Sequence, residues 1–553
     1  METLQQKLED FKREVLKLAE DFNKIPINTE RLRLAKQFFD EGNYQAARDI
    51  LNATEITQDQ TALLAKQQRL QTEQTEVTTQ LENNATEFLY KARLTAIDYS
   101  LLDRIAQTSY FFESALKSAK TPKNIFAYAV FLQANNQFSV AEAQYKEILE
   151  ICRQLVKDGS AVYWPNIAMT LNNLGNLVAA DSSRRREAEI LHREALRIRR
   201  QLAQDSSAVY LPDVAMTLNN LGSLIAADSS SSEAESLYKE ALEIYGQLEK
   251  GNSIVYLSDV AMTLNNLGNL VINDSSRRSE AEILYREALR IRRQVAQDNS
   301  VYLPDVAMTL NNLGNLVSDD NSRHNEAESL YQEALEIYRQ LANNNPAVYL
   351  SYVATTFKNL GILVAGDSGR HKKAESLFQE ALEIYKQLAK DTPAVYLPYV
   401  AGILNNLGGL VSLHSSRRSE AESLFHEALK IRRQLVKDSP AVYLPYLAEI
   451  LHNLGSLVLQ DSSRRNETES LYQEALAIRR QLAQDNPAVS LPAVANTLFA
   501  FGWAYLNWQD PQTALVYLQE SAALLEPFAK QAPTVFGDKY AHILELIEQA
   551  KPH

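Results

Sequence analysis

The chain has one cysteine, Cys152, among its 553 residues, and it has no run of about 18 apolar residues. One cysteine excludes a disulfide framework and a four-cysteine metal site within the chain. The start, METLQQKLEDFKREVLKLAEDF, is charged throughout and lacks the apolar stretch of a secretory signal. The absence of a long apolar run predicts that nothing spans a membrane. These absences together predict a cytoplasmic protein.

The motifs of common enzymes are also absent. The sequence contains no GxxxxGK[ST], GxGxxG, HExxH or GxSxG. None of its eight histidines pairs with another at metal-ligand spacing on one helix face. A function has to be argued from a site, and no catalytic site emerges. We therefore predict a protein that is not an enzyme and holds no metal or cofactor.

The charge is unbalanced toward acid. The chain carries 69 acidic and 56 basic residues, which gives a net charge of −13. Nucleic-acid coats carry a basic surface, so nucleic acid is an unlikely partner.

What the sequence does contain is a repeated stretch, LNNLGNL. Its glycine recurs every 46 or 47 residues, at Gly175, Gly222, Gly268, Gly314, Gly361, Gly408, Gly455 and Gly502. A fixed period of about 20–50 residues indicates stacked repeats. Each unit of such an array contacts only its neighbours, so the array can be longer than a compact domain.

One unit, residues 299–343, predicts two helices. The first opens at Pro304, which suits the first helical position because its missing N–H has no partner there. The stretch SDDNSRHN then breaks the helix, and a second helix is expected from Glu326 to Leu341. Small residues at Gly314 and Ala327 indicate where the two helices approach closely. A lone pair of this size cannot bury both faces, so stacking is obligatory.

These residues resemble the tetratricopeptide repeat. That family has a small residue at position 8, alanine at 20, an aromatic at 24 and alanine at 27, which fall here on Gly314, Ala327, Tyr331 and Ala334. The form LPDVAMTLNNLG…EAESLYQEALEI is similar to the kinesin light chain type. His192 occupies the position at which other units carry this aromatic, and it is predicted to be a packing residue. The resemblance implies an all-α, right-handed superhelical solenoid with an N-terminal helical extension and a C-terminal capping helix.

Four regions are predicted from these patterns. Residues 1–85 form an N-terminal helical region with one isolated repeat-like hairpin at 31–54 and a long polar helix, or a partly ordered linker, at 57–85. Two short repeats occupy 86–158, eight long repeats occupy 159–525, and a cap occupies 526–553.

The resemblance implies that the first helix of each unit lines a concave groove. Position 5 of that helix is Asn172, Asn219, Asn265, Asn311, Lys358, Asn405 and His452, and position 9 includes Asn176, Asn269 and Asn315. An asparagine amide can pair with any peptide backbone unit. The same asparagines, followed by a second one at position 6, would equally suit a ladder that bridges adjacent repeats.

Position 2 supplies an adaptable side chain in the early units. It is methionine at Met169, Met216, Met262 and Met308, then Thr355, Gly402 and Glu449. Methionine is frequent on promiscuous binding surfaces, although packing between helices explains it equally well. We expect the uniform early half to grip peptide backbone and the varied half from about residue 350 to give selectivity.

Arginine-rich turns and a tyrosine between units complete the pattern. The turns at 184–186, 277–278, 323, 370, 417–418 and 464–465 suggest either a positive edge or arginines paired with nearby glutamates, and we favour the pairing. Pairs such as Arg432/Arg433 end their helices and need no function. The tyrosine of AVYLP is expected to staple one hairpin to the next.

The leading interpretation is a protein-interaction scaffold or adaptor that binds a peptide or helix of a partner in the groove. The resemblance suggests a regulatory subunit of a bacterial signalling or defence effector. One alternative is a structural protein that dimerises through its N-terminal helices, and a second is an anion or nucleic-acid binder along the arginine turns. The oligomeric state stays open.

Overall fold

The computed structural model describes residues 2–24, 26–98, 101–227, 231–249 and 256–551. These residues form α-helices and short 3-10 turns, with no strand among them. They divide into two compact units, Met1–Thr170 and Leu171–His553. The all-α prediction is confirmed, and consecutive helices pack in pairs through both units.

The first unit contains seven complete helices and the start of an eighth. Their bounds are α1 Glu2–Lys24, α2 Glu30–Asp40, α3 Tyr44–Ile50, α4 Ala53–Ala96, α5 Arg104–Ser118, α6 Pro122–Ala134, α7 Phe138–Lys157 and α8 Trp164–Ala179. Helix α4 is 44 residues long and contains the polar stretch 57–85. Only its last part is buried, where Ala85, Leu89 and Ala92 pack in the helix pair that α4 forms with α5.

The second unit consists of alternating first and second helices. They are α9 Arg185–Asp205, α10 Ser207–Ala226, α11 Ser231–Glu249, α12 Leu257–Val271, α13 Arg278–Asp298, α14 Leu303–Val317, α15 His324–Asn344, α16 Pro346–Ala365, α17 His371–Asp391, α18 Pro393–Ser412, α19 Arg418–Asp438, α20 Pro440–Val458, α21 Arg465–Asp485, α22 Pro487–Asn507, α23 Pro511–Gln531 and α24 Pro533–Ala550. Even-numbered helices from α10 to α22 carry the LNNLGNL motif or its variants.

The later first helices begin earlier than the sequence predicted. Helices α16, α18, α20 and α22 start at the proline before AVYL or AVSL, so this segment forms their first turns. Proline suits the first helical turn, where its missing N–H costs nothing. The tyrosines Tyr349, Tyr396 and Tyr443 therefore lie inside helices, whereas a location between units was expected.

Each arginine-rich turn forms a single 3-10 turn that leads into the second helix. In most of them an aspartate accepts a hydrogen bond from the backbone N–H two residues later, as in Asp274 Oδ1 to Ser276 N at 2.9 Å and Asp320 Oδ1 to Ser322 N at 2.9 Å. This short side-chain bond ends the first helix and orients the arginine that follows.

The motif glycines lie where the two helices of a unit touch. An added Cβ at Gly314 would come within 2.8 Å of the Tyr331 ring, and one at Gly361 within 2.7 Å of the Phe378 ring. The ring at position 24 thus occupies the space that any larger residue would need. His192 fills the same place over Gly175, and at 1% exposure it is a packing residue as predicted. Its burial lowers its pKa to about 4.

The last helix, α24, closes the stack. Ile543, Leu546 and Ile547 are buried in one cluster with Phe501 and Leu518. Covering the last apolar face is the role expected of a terminal repeat, so the predicted capping helix is confirmed. It begins at Pro533 and ends at Ala550, inside the predicted cap at 526–553.

Three described helices are long and apolar enough to cross a membrane by length and composition alone: α16, α18 and α22. Each packs against neighbouring second helices, and between 39% and 50% of each apolar window is buried. The expectation that no segment has this character is therefore corrected. Alanine, valine and leucine fill these first helices because both neighbours cover them.

Candidate functional site

The position-5 asparagines form hydrogen bonds between adjacent repeats. In four places the Nδ2 of a position-6 asparagine donates to the position-5 Oδ1 of the preceding repeat, at 3.3 Å from Asn220 to Asn172, 3.1 Å from Asn266 to Asn219, 3.0 Å from Asn312 to Asn265 and 3.0 Å from Asn453 to Asn405. All four acceptors are buried, as is Asn311, which donates to Thr356. This geometry is the inter-repeat ladder that the sequence left open, and peptide binding by these amides stays a prediction.

The position-9 asparagines are the exposed members of the predicted set. Asn176, Asn269 and Asn315 are all exposed. Two of them are oriented by the aromatic at position 24, because the Tyr285 hydroxyl donates to Asn269 Oδ1 at 2.7 Å and the Tyr331 hydroxyl donates to Asn315 Oδ1 at 2.6 Å.

The remaining predicted residues are half-buried or exposed. Met216, Met262 and Met308 are half-buried along the first helices, as are Lys358 and His452, whereas Glu449 is exposed. Burial, together with the nearby positive charges of Arg479 and Lys539, lowers the pKa of His452 to about 3. His452 is therefore a neutral ring packed beside Tyr472 at a centroid distance of 5.6 Å.

The turn arginines pair with glutamates of the preceding repeat. Their guanidinium groups bind the carboxylates at 2.6–2.9 Å in the pairs Arg277–Glu235, Arg323–Glu282, Arg370–Glu328, Arg417–Glu375 and Arg464–Glu422. These bonds lower the pKa of Glu235, Glu282 and Glu328 to about 2. Each of these arginines thus has a carboxylate partner, which is the paired arrangement favoured from the sequence.

One cavity brings together predicted residues of the varied half. It measures about 580 Å³ and lies among α16, α18, α19 and α20. Lys358, Asn405 and Glu449, all predicted from the sequence, line it. So do Tyr399, Arg432 and Tyr446, which the sequence reasoning left without a role, and Tyr443, which it expected to join two hairpins. We call this space the Lys358–Arg432 cavity.

Gly402 and a row of tyrosines create this cavity. Gly402 stands where four earlier repeats have methionine, so no side chain fills the space. Tyr352, Tyr399 and Tyr446 stand where the earlier repeats have Asp213, Asp259 and Asp305. The Tyr399 ring stacks on Tyr385 at 5.0 Å, and the Tyr446 ring lies 4.8 Å from the guanidinium carbon of Arg432.

Arg432 is the residue that sequence reasoning placed wrongly. It was expected to end its helix without a function, yet its side chain is 5% exposed and lines the cavity. Its Nη2 donates to the Pro398 carbonyl oxygen at 2.7 Å, and burial lowers its pKa. The signal was present in the repeat register, because the same position is a buried tyrosine in three other units, at Tyr245, Tyr338 and Tyr385.

A second cluster could hold a metal ion by geometry. Candidate ligand atoms of Glu422, His426 and Glu467 lie within 4.8 Å of one another. Arg464 already donates to both carboxylates, at 2.6 and 2.8 Å. A guanidinium between the two acids supplies the positive charge that a cation would bring, so this donor set does not fit a metal ion.

Profiles of the tetratricopeptide repeat match most of the second unit up to residue 488. One matches residues 259–340 and 305–387, and another matches 167–207, 214–250, 400–441 and 447–488, which together exceed half of the chain. The chain belongs to the tetratricopeptide repeat family. Proteins of this family generally mediate protein–protein interaction and are generally not enzymes.

Solved structures with similar helical repeats come from several sources. BtubC (BKLC) of P. vanneervenii is 21% identical and the match covers 45% of this chain and 92% of that one, with a TM-score of 0.37. The apo form of RapI is 13% identical over 74% and 98%, with a TM-score of 0.49. A putative kinesin light chain of Podosopora anserina is 14% identical over 41% and 98%, with a TM-score of 0.30. No curated protein matches this sequence.

Proposed function

We propose that this tetratricopeptide repeat protein is a scaffold that binds an extended peptide or helix of a partner on its first helices, at the repeats around the Lys358–Arg432 cavity. The observation that carries the proposal is the cavity itself, which gathers Lys358, Asn405 and Glu449 with an apolar wall of Val395, Tyr399 and Tyr446. Ligand sites combine apolar walls with a few polar groups in this way.

Two features of the cavity suit a peptide. Its volume of about 580 Å³ falls in the range of ordinary ligand sites, which is about 300–1,000 Å³. Its walls come from helices held by packing on both sides, so little ordering entropy opposes binding. Ile362, at 52% exposure, extends the apolar surface along the neighbouring repeat.

A capture experiment with a matched pair of glycine variants tests the proposal. The full chain is immobilised and exposed to a soluble synthetic library of 12-residue peptides, and captured peptides are identified and their Kd measured by fluorescence anisotropy. Gly402→Met restores the methionine of the earlier repeats and fills the cavity. Gly246→Met is the control, because an added Cβ there meets nothing within 4 Å.

The expected result is that Gly402→Met weakens binding of the captured peptides at least about tenfold, whereas Gly246→Met binds them like the wild type. Circular dichroism shows whether both variants keep the wild-type helix content. Equal binding by Gly402→Met and the wild type would place the peptide elsewhere and sink the proposal.

A second function is favoured by a separate observation on α4. Ile56, Leu63, Leu70 and Val77 are exposed on this helix at intervals of seven residues. A seven-residue apolar repeat is the spacing of coiled-coil contacts. Self-association of two chains through α4 is therefore the alternative to a monomeric scaffold.

Light scattering after size-exclusion chromatography tests this alternative on the full chain. If α4 pairs two chains, Leu63→Glu/Leu70→Glu halves the measured mass, and the control Ile190→Glu/Ile283→Glu, at exposed positions of other helices, leaves it unchanged. A monomeric wild type would remove the alternative.

The kind of partner and the location of the protein stay proposals. A bacterial signalling or defence effector as the partner, and a cytoplasmic location, rest on the family resemblance and the single cysteine. Binding of anions or nucleic acid along the arginine turns has little support, because a glutamate of the preceding repeat is bound to each inter-repeat arginine of that edge.

A further inference from the structure

Most of helix α4 is exposed to solvent. Every residue from Ala53 to Asn84 is exposed, and burial begins only at Ala85, where α4 packs on α5. At a rise of about 1.5 Å per residue, this exposed part is about 48 Å long. Several of its threonines, such as Thr57 and Thr75, donate their hydroxyl to the carbonyl oxygen four residues earlier, a bond that slightly destabilises a helix. Because most helical stability comes from packing, a partner along this part would supply what it lacks.

One face of the exposed part carries a seven-residue pattern with two positions. Heptad position d is apolar at each turn, and heptad position a is glutamine until the last one, which is leucine. The d residues are Ile56, Leu63, Leu70 and Val77, and the a residues are Gln60, Gln67, Gln74 and Leu81. The apolar members are between 44% and 66% exposed. This pattern is typical of the contact seam of a two-stranded coiled coil.

The layers of the seam favour a second copy that runs in the opposite direction. In an antiparallel pair centred at residues 68–69, each a residue faces a d residue, so Gln67 lies opposite Leu70 of the second copy. Every layer then contains an apolar side chain. A parallel pair would stack each a residue on its own counterpart and would leave the layers of Gln60, Gln67 and Gln74 without one.

A cavity at one end of the seam favours the same direction. It measures about 650 Å³, and Leu32 of α2, Leu51 and Ile56 are among the residues that line it. Arg31 holds α2 beside α4, because it pairs with Glu55 and Asp59. The far end of the seam carries the exposed apolar side chains Val77 and Leu81. Only an antiparallel pair brings this far end of one copy to the cavity of the other.

Charges beside the seam select this direction as well. Lys66 and Glu73 precede consecutive a residues and so occupy heptad position g. In an antiparallel pair g faces g, which puts Lys66 opposite Glu73 of the second copy in two symmetric pairs. In a parallel pair g faces e, where Lys66 would meet Gln71 and Glu73 would meet Thr78. Charge complementarity across the seam therefore exists in the antiparallel arrangement.

We propose that the exposed part of α4, residues 53–84, binds the same surface of a second copy of this chain in antiparallel orientation. Val77 and Leu81 of each copy fill the cavity beside Ile56 of the other. Such a contact is two-fold symmetric and closes after two chains. The inference rests on the self-association proposed above as the second function, and it is independent of peptide binding at the Lys358–Arg432 cavity.

Charge exchange in the full chain tests the orientation, with the Kd of the dimer measured by analytical ultracentrifugation. Lys66→Glu places two glutamates opposite each other twice and should raise the Kd about tenfold. Lys66→Glu/Glu73→Lys should return the Kd to near the wild-type value. Lys66→Glu/Glu76→Lys is the matched control, because it has the same net charge but its lysine lies outside the seam, and it should not restore binding.

Distances between spin labels measure the orientation directly. A nitroxide is attached to a cysteine introduced at Gln68 or at Glu82, which are both exposed and outside the seam. Wild type treated with the same label is the control, because Cys152 is buried. Residue 82 lies opposite residue 55 of an antiparallel second copy, so its two labels should be about 40 Å apart at about 1.5 Å per residue. Labels at residue 68 should be about 20 Å apart, which is about two helix diameters.

The outcomes separate the orientation from self-association. A dimer with about 20 Å at both label positions, or one whose Kd Lys66→Glu leaves unchanged, would overturn the antiparallel pairing and leave self-association through α4 standing. A dimer mass that Leu63→Glu/Leu70→Glu does not change, or a monomeric wild type, would overturn the second function together with this inference.

Discussion

Two halves of the repeat array share one scaffold and differ in the face that it presents. The uniform repeats, residues 207–344, have methionine, aspartate and a buried asparagine ladder on their first helices. The divergent repeats, residues 346–485, have tyrosines, Gly402 and Lys358 at the same register. Both halves keep the glycine under an aromatic ring. Packing inside a repeat therefore fixes the backbone, and the positions between first helices are free to vary.

The hydrogen bonds between repeats differ between the two halves. In the uniform repeats each buried arginine has its threonine, and each ladder amide has its neighbour. In the divergent repeats, Asn359 donates to Asn315 at position 9, whereas Asn311, the position-5 residue of the preceding repeat, donates to Thr356. Unsatisfied groups at Arg432 mark the same region. Tyr245 Oη and Asn311 Oδ1 in the uniform half are also buried without a hydrogen-bond partner, so the halves differ in which groups are unsatisfied, and each such group costs stability.

The largest effect is expected where the halves are alike. Gly314→Val in the uniform half and Gly361→Val in the divergent half place side-chain atoms where a ring already lies, and each should lower the free energy of unfolding by about 3 kcal/mol. Chemical denaturation followed by circular dichroism measures this. Gly246→Val, with no neighbour within 4 Å, is the control. A loss at Gly314 alone would show that the scaffolds differ.

The next largest effect is a pH dependence of stability caused by His452, which lies in the divergent half. His452→Asn restores a uniform-repeat residue in the divergent half. Because burial holds the pKa of folded His452 at about 3, the unfolded chain takes up a proton first as pH falls below about 6.5. His452 should therefore make stability fall between pH 6.5 and 3, by up to about 1.4 kcal/mol per pH unit, and the variant should lose this part of the slope and keep the part that His192 contributes.

Urea melts at a series of pH values measure this slope. The glutamates with pKa of about 2, such as Glu235 and Glu282, add a loss below about pH 4.5 in both proteins, since their folded pKa is lowered and their stabilisation needs the ionised form. Identical slopes between pH 6.5 and 4.5 would contradict the neutral His452.

A smaller effect is expected in the uniform ladder. Asn219→Ala removes the acceptor of Asn266 Nδ2 from a buried site, and we expect a loss of about 1–3 kcal/mol in unfolding free energy. Lys358→Asn, at the same position in the divergent half, should instead leave stability equal or higher, because it removes a half-buried cation. Thermal melts measure both variants. A loss of stability in Asn219→Ala without a loss in Lys358→Asn would support the comparison between the halves, and a loss in Lys358→Asn would contradict it.

The smallest expected effect concerns Arg432. Ile450→Thr offers it the hydroxyl that Arg199, Arg292 and Arg479 use, and that hydrogen bond should offset about 1 kcal/mol of the unfolding free energy lost with the buried isoleucine side chain. The control is Ile403→Thr, because the residue on the second helix that faces it is Tyr385, an aromatic. Denaturation midpoints in urea compare the two, and an equal change in both would argue against the unpaired guanidinium.

The periodic features were predictable and the exceptions were not. Gly314, Ala327 and Tyr331 recur at a fixed interval, so the sequence predicted the helix pairs, their close approach and the capping helix. Lys358 and Glu449 were recognised because they depart from their columns, and Asn405 was recognised because it continues the asparagine column. Arg432 and Tyr446 were missed, since each was judged by its own helix and not by what the facing repeat offers. Which side of the asparagine ladder is buried depends on the packing of neighbouring units, and a single repeat does not contain that information.

The arginine turns have a consequence for the length of the array. The bond that joins one unit to the next is chemically the same at Glu235–Arg277, Glu282–Arg323, Glu328–Arg370, Glu375–Arg417 and Glu422–Arg464. A chain that lost or gained one whole unit would still bring a glutamate to an arginine at the new junction. Modular joints of this kind let duplication change the number of units without redesigning any of them.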